Sequence, residues 1–240
     1  MTEMQTREQP MQPEDDTRAE RPRSIDYSLY LVTDRTLARD RSLVEVVQAA
    51  VRGGVSCVQL REKHCSSLEF VNLARAVKAV LAPGRIPLII NDRLDVALAV
   101  QADGVHLGQR DIPLDLAGRI AGSRLIIGIS VESVEDALWA EQNGADYLGV
   151  SPIYTTPTKV DTAAPLGLQG LKAIRQAVRT PLVGIGALNR DNAGDVIQAG
   201  ADGVAVVSAI VAACDPESAA RELLQTIREA RNGMEKAPWA

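Results

Sequence analysis

Aromatic side chains are scarce in this chain of 240 residues, at 3% with a single phenylalanine. The formal net charge is −5. A nucleic-acid surface needs clustered basic charge and stacking rings, so that class of partner is excluded. Histidine is scarcer still: His64 and His106 are the only two. They are too few to assemble a zinc set, and no Ser-His-Asp arrangement emerges around either. The three cysteines, Cys57, Cys65 and Cys214, have no CxxC spacing. An odd count without a secretory leader points to a reducing, cytoplasmic setting rather than a disulfide scaffold. No apolar run is long enough to span a bilayer; the stretch 204–213 is short and broken by Ser208. Gly184-Ile-Gly186 is no dinucleotide fingerprint, because Asn189 stands where the third glycine would be, and no P-loop is present.

What the chain does have is rhythm. It is 46% hydrophobic, enough for one sizeable core and hence one domain. Short apolar runs predict strands at 29–32, 57–60, 88–90, 105–107, 125–129, 147–150, 182–185 and 203–207. Between them, helical periodicity predicts helices at 43–52, 67–81, 94–100, 114–121, 134–142, 168–178, 191–198 and 217–228. A degenerate repeat supports the count. Ala102-Asp103-Gly104, Gly144-Ala145-Asp146 and Gly200-Ala201-Asp202-Gly203 each precede a strand, with Arg52-Gly53-Gly54-Val55 as a weaker echo. Eight strand-helix units of this size predict a (β/α)₈ barrel, an α/β TIM barrel of one domain over residues 25–230. A doubly wound open sheet is the alternative. Residues 1–24 carry Pro10, Pro13 and Pro22 among mixed charges and are expected to be a disordered extension. Residues 231–240 are expected to be a flexible tail.

The strand ends carry the chemistry. In such barrels the active site is built at the C-terminal edge of the sheet. Strand 3 ends in Asn91-Asp92 and strand 4 leads to Gln109 and Asp111, so two carboxylates stand on neighbouring loops. One Asp in such a place would be read as a helix cap. Two on adjacent strand ends read as hard oxygen ligands for Mg²⁺ holding a phosphorylated substrate. Strand 2 runs into Gln59-Leu-Arg61-Glu-Lys63, where period-2 alternation places an amide and two cations on one face. Strand 5 ends at Gly128-Ile-Ser130, and strand 6 leads to Thr156-Pro157-Thr158-Lys159. Arg61, Lys63 and Lys159 could clamp a diphosphate bridged by the metal on Asp92 and Asp111. Gly186 and Val207-Ser208, after strands 7 and 8, suggest a second anion site made of backbone N–H groups at a short helix start. His64 reads as solvent-facing and His106 as a packed, hydrogen-bonded histidine. Two phosphorylated partners, a magnesium ion and no evident general base suggest that a diphosphate leaves and a neutral nucleophile takes its place.

These motifs carry a family resemblance. Tyr30-Leu-Val-Thr-Asp34, Gln59-Leu-Arg-Glu-Lys63, Asn91-Asp92, His106-Leu-Gly-Gln-Arg-Asp111, Gly128-Ile-Ser130, Thr156-Pro-Thr-Lys159 with Pro165-Leu-Gly167, and Val207-Ser208 resemble thiamine phosphate synthase over about residues 28–225. The resemblance implies that 4-amino-2-methyl-5-hydroxymethylpyrimidine diphosphate couples to hydroxyethylthiazole phosphate, giving thiamine monophosphate and diphosphate. It implies pyrimidine-diphosphate contacts at Gln59, Arg61, Lys63, Asn91, Ser130 and Lys159, with Arg61, Lys63, Ser130 and Lys159 catalytic. It implies Mg²⁺ on Asp92 and Asp111, and thiazole-phosphate contacts at Thr156, Pro157, Thr158, Gly186, Val207 and Ser208. The expected partners are these small molecules, with neither nucleic acid nor membrane. Two positions depart from the pattern: Glu132 stands where the family often has histidine, and Ala187 replaces the second glycine after strand 7. Two rival readings are a thiazole tautomerase on the same barrel and a non-catalytic binder of thiamine precursors.

Overall fold

The structure, a computed structural model, describes residues 25–155 and 164–235. The N-terminal extension expected at 1–24 lies outside these residues. In chain order the elements are β1 Leu29–Val32, α1 Arg35–Ala38, α2 Leu43–Arg52, β2 Cys57–Leu60, α3 Ser67–Leu81, β3 Leu88–Asn91, α4 Leu94–Ala99, β4 Gly104–Leu107, α5 Leu114–Ala121, β5 Ile126–Val131, α6 Val134–Gln142, β6 Tyr147–Val150, α7 Gly167–Ala177, β7 Leu182–Ile185, α8 Ala193–Gln198, β8 Gly203–Val206, α9 Ser208–Val211 and α10 Pro216–Glu235. The strands form a closed barrel in sequence order. Leu31 of β1 pairs in parallel with both Val58 of β2 and Val206 of β8, which rules out an open doubly wound sheet.

Side-chain parity divides the core into two shells. Leu29, Leu31, Val58, Leu60, Leu88 and Ile90 point outward and pack beneath the helices. Tyr30, Val32, Cys57, Ile89, Tyr147 and Val183 point inward and fill the barrel. The helices start where the sequence places caps. Ser42 with Glu45, and Ser66 with Glu69, form reciprocal capping boxes at α2 and α3, and Ser133 caps α6.

The pre-strand repeat has a mechanical role at the N-terminal edge of the sheet. Asp103 Oδ2 accepts a hydrogen bond from Leu88 N at 2.8 Å, Asp146 Oδ2 from Ile127 N at 2.7 Å, and Asp202 Oδ2 from Leu182 N at 2.8 Å. Each carboxylate thus satisfies an N–H at the start of the preceding strand, the first residue of β3 and β7 and the second of β5, a donor with no ladder partner. In the weaker echo Ser56 does the same, its Oγ accepting from Leu29 N at 3.0 Å.

Of the boundaries that differ from the sequence reading, most move by one or two residues, and two bear on the site and the tail. Helix α10 continues to Glu235, so part of the tail expected from residue 231 is helical. Arg231 explains the extension: it donates to Ser28 Oγ at 2.5 Å and to the Asp202 carbonyl, holding the helix against the bottom of the barrel. Strand β5 runs on to Val131, which places Ser130 within the sheet rather than in the loop after it. Among the described residues no helix is long and apolar enough to cross a membrane.

Candidate active site

A cavity of about 500 Å³ opens at the C-terminal ends of the strands. Its floor and walls include Gln59, Arg61, Ser130, Gly186, Val207 and Ser208, so residues from four strands predicted to share a site do meet, and His106 joins them. Thr156, Pro157, Thr158 and Lys159 lie outside the described residues.

The cationic run after β2 is split. Gln59 is 5% exposed and turns into the barrel. Arg61 lines the cavity, where its Nη1 lies 3.4 Å from Asp34 Oδ2. Lys63 is not among the cavity-lining residues; its Nζ lies 2.5 Å from Asp92 Oδ2 at the rim. The expectation that all three share one face holds for Gln59 and Arg61 alone, because the strand ends at Leu60 and period-2 alternation ends with it. Asp34, to which the sequence reading gave no role, caps the short helix α1 by accepting from Leu37 N at 3.1 Å and also holds Arg61.

The carboxylate pair forms beyond β3 and β4. Asp92 has φ 62°, a left-handed conformation that aspartate tolerates better than most residues. Its N–H donates to the His106 carbonyl at 2.8 Å, so the ladder between the two strands carries the residue into place. Asp111 folds back so that its Oδ2 accepts from Gly108 N at 2.7 Å. Burial pushes the Asp111 carboxyl above the usual carboxylate range, and the neighbouring Asp92 carboxylate pushes it the same way. Among the described residues no third His, Cys, Asp or Glu joins them to complete a metal cage. Beside them Asn91 is 7% exposed, and its Nδ2 has no hydrogen-bond partner among the described residues.

Across the cavity, the turn after β7 depends on Gly186. Its φ is +121°, and a Cβ there would lie 2.9 Å from Ile153 N and 3.0 Å from Pro152 Cα. Only glycine lets this backbone pass. Ala187 follows at φ 49°, so the substitution noted in the sequence places a methyl group on a left-handed backbone. Helix α9 begins at Ser208, and no side chain caps its N-terminus.

The barrel interior adds residues that sequence reasoning did not assign. Gln59 Nε2 donates to Tyr30 Oη at 3.0 Å, and Tyr30 Oη lies 2.8 Å from Tyr147 Oη. Tyr147 Oη lies 2.9 Å from His106 Nδ1, and His106 Nε2 lies 3.0 Å from Ser130 Oγ. His106 is therefore hydrogen-bonded, as expected, yet it also lines the cavity. His64 is exposed, as expected. Period-2 parity could have exposed the tyrosines, since Tyr30 shares a strand face with Val32 and Tyr147 with Gly149.

Taken by fold and site, this is a TIM-barrel enzyme with a cavity and a carboxylate pair at the catalytic edge of the sheet. The family model for thiamine monophosphate synthase (TMP-TENI) matches residues 29–210. Thiamine-phosphate synthase of Chloroflexus aurantiacus is 53% identical over 199 residues, covering 83% of this chain and 92% of that protein. The synthase of Albidiferax ferrireducens is 55% identical over 199 residues, covering 83% and 91%. Among solved structures, thiamine phosphate pyrophosphorylase from Pyrococcus furiosus superposes with a TM-score of 0.80 at 40% identity, covering 86% of this chain and 98% of that one. The chain belongs to the thiamine monophosphate synthase family and is accordingly a transferase.

Proposed function

We propose that this enzyme couples 4-amino-2-methyl-5-hydroxymethylpyrimidine diphosphate to hydroxyethylthiazole phosphate, forming thiamine monophosphate and releasing diphosphate. The observation that carries the reading is the Asp92–Asp111 pair, beyond β3 and β4 at the edge of the sheet where the cavity opens. Two carboxylates held side by side, with the proton affinity of Asp111 raised by burial and by Asp92, and with Lys63 beside Asp92, leave a net negative charge. Two protein oxygens with the rest of the coordination sphere open suit Mg²⁺, which takes its remaining ligands from water and substrate phosphates. When bound, the ion would neutralise charge gathering on the departing diphosphate.

The chain's own groups divide the remaining work. Arg61 at the cavity and Lys63 at the rim supply positive charge to the diphosphate, with Lys159 assigned to the same group by its motif. The unpartnered Asn91 amide is a buried donor for a phosphate oxygen, which would relieve its desolvation cost. Ser130 and Gln59 hold the pyrimidine. The Gly186 turn and the backbone at Val207 and Ser208 receive the thiazole phosphate, together with Thr156, Pro157 and Thr158. Gln59, Arg61 and Ser130 of the first set and Gly186, Val207 and Ser208 of the second line one cavity, so the methylene carbon and the thiazole nitrogen can be held in line. A neutral thiazole nitrogen needs no base to attack, in keeping with Glu132 standing where a tautomerase would need an acid-base histidine. A cytoplasmic setting, with cysteines unpaired, belongs to the same reading.

The test is direct. Both substrates with Mg²⁺ should give thiamine monophosphate, and chelation should abolish the product until Mg²⁺ is restored. Asp92→Ala should remove most turnover. Full turnover in chelator would return the two carboxylates to structural roles. Rapid aromatisation of the non-aromatic thiazole isomer, with no coupling when the pyrimidine is added, would replace this function with the tautomerase.

A further inference from the structure

The interior polar chain runs from β2 to β5 across the barrel in the order Gln59, Tyr30, Tyr147, His106, Ser130. Its separations lie between 2.8 and 3.0 Å. Both phenols are wholly buried, and burial pushes each well above the usual tyrosine range, so each keeps its single proton. The rings are also fixed in place. A Cβ on Gly128 would lie 2.1 Å from Tyr147 Cζ, and one on Gly149 would lie 2.9 Å from His106 Cε1, so both glycines clear space for them.

A row of single-proton groups can be satisfied in only one sense at a time. Gln59 Nε2 donates to Tyr30 Oη, which leaves the Tyr30 proton for Tyr147 Oη. The Tyr147 proton then goes to His106 Nδ1, so His106 carries its own proton on Nε2 and donates it to Ser130 Oγ. Ser130 Oγ, already accepting there, keeps its hydroxyl proton for whatever fills the cavity.

We propose that these five side chains form a one-way hydrogen-bond relay that holds neutral His106 as the Nε2–H tautomer and makes Ser130 a donor toward the substrate. The inference rests on the proposed function only in naming what Ser130 meets. Tyr30 and Tyr147 are positioning residues: each acts on the substrate through its neighbours. The amide of Gln59 sets the sense of the relay, and its own oxygen remains an acceptor at the opposite end. The cavity is thereby presented with a donor on β5 and an acceptor on β2, a polarity matched to a flat ring bearing an acceptor on one edge and a donor on another.

The presence of two histidines makes the test clean. Imidazole ¹⁵N spectra of labelled protein, recorded without substrate and well above the usual histidine titration range, separate the tautomers. The His64→Gln variant identifies which signals belong to His106. The expected result is a protonated Nε2 and an unprotonated Nδ1 at His106 in the full chain. A protonated Nδ1, or rapid averaging between the two forms, overturns the relay. Tyr147→Phe removes only a hydroxyl and leaves the ring's volume, so a thermal melt checks that it folds. It should release His106 into a mixture of tautomers and lower kcat/KM on the order of tenfold, the effect of one misdirected neutral hydrogen bond. His106→Gln, which keeps a donor near the Nε2 position, should retain more activity than His106→Asn. Unchanged tautomer and unchanged kcat/KM in folded Tyr147→Phe would also overturn the proposal. Failure of the coupling reaction would leave the spectra unaffected, so the two readings fail separately.

Discussion

Gly186 and Ala187 are adjacent, both have positive φ, and the structure assigns opposite signs to swapping each for the other's residue. At Gly186 the backbone sits at φ +121°, and a new Cβ would meet Ile153 N at 2.9 Å and Pro152 Cα at 3.0 Å. Both obstacles are backbone atoms, so no side-chain rotation relieves the contact. Backbone strain of about 1–3 kcal/mol adds to overpacking of about 1–3 kcal/mol. A stiffer unfolded chain returns about 0.4–1 kcal/mol. Gly186→Ala should therefore destabilise the fold by about 1–5.5 kcal/mol, which in a domain of this size lowers Tm by roughly 2–20 °C. At Ala187 the backbone has φ 49°, and glycine removes a left-handed penalty of about 1–2 kcal/mol while loosening the unfolded chain by about 0.4–1 kcal/mol. Ala187→Gly should thus leave Tm level or raise it, by roughly 0–6 °C. Scanning calorimetry on the two variants beside the parent measures both. A Gly186→Ala melt within about 2 °C of the parent, or an Ala187→Gly melt below it, would refute the account of this turn.

Three further predictions use other parts of the molecule. Asp111 is held above its ordinary range, so the unfolded chain loses this proton more readily than the folded one; ionised Asp111 opposes folding at neutral pH, and the penalty fades as pH falls toward the carboxylate range. Asp111→Asn should accordingly raise the neutral-pH Tm of the metal-free protein while abolishing Mg²⁺-dependent activity, and a lowered Tm would show that the carboxylate is structurally required. Asp202→Ala strips Leu182 N of its acceptor and Arg175 of one of its two acceptors, so chemical denaturation should show a loss of about 1.5–3 kcal/mol, with a smaller loss for Asp202→Asn. Lys159→Ala should reduce kcat more than it raises KM if the cation gains strength as the diphosphate departs; steady-state kinetics showing a rise in KM alone would confine Lys159 to ground-state binding.

The barrel was legible because its signals are local and repeated. Each strand is a short apolar run, and each pre-strand Asp accepts from an N–H at the start of the strand before it, so the repeat and the register share one cause. Helix α1 escaped detection because four residues carry no periodicity, and what forms it is Asp34 acting as a cap while also holding Arg61. The end of α10 was misplaced for a related reason. The sequence after residue 228 looks polar and loose, whereas Arg231 is fixed by Ser28 and the Asp202 carbonyl, far away in the chain.

The site was legible where function needs a residue type at a strand end, and illegible where it needs a direction. Asp92 and Asp111 declare themselves as paired carboxylates, and Gly186 as a turn without a Cβ. Parity alone could say that Gln59 faces inward, but not that Lys63, four residues on, leaves the barrel to meet Asp92. Tyr30 and Tyr147 look like ordinary core aromatics until their hydroxyls are seen 2.8 Å apart. A buried phenol needs a partner, and here each partner is another buried polar group rather than backbone or solvent. Such a chain must be satisfied at every link or it costs more than an apolar core would. One amide orientation at Gln59 therefore constrains proton positions as far away as Ser130. That constraint belongs to the assembled barrel and to no segment of the sequence, because the five side chains come from five different strands.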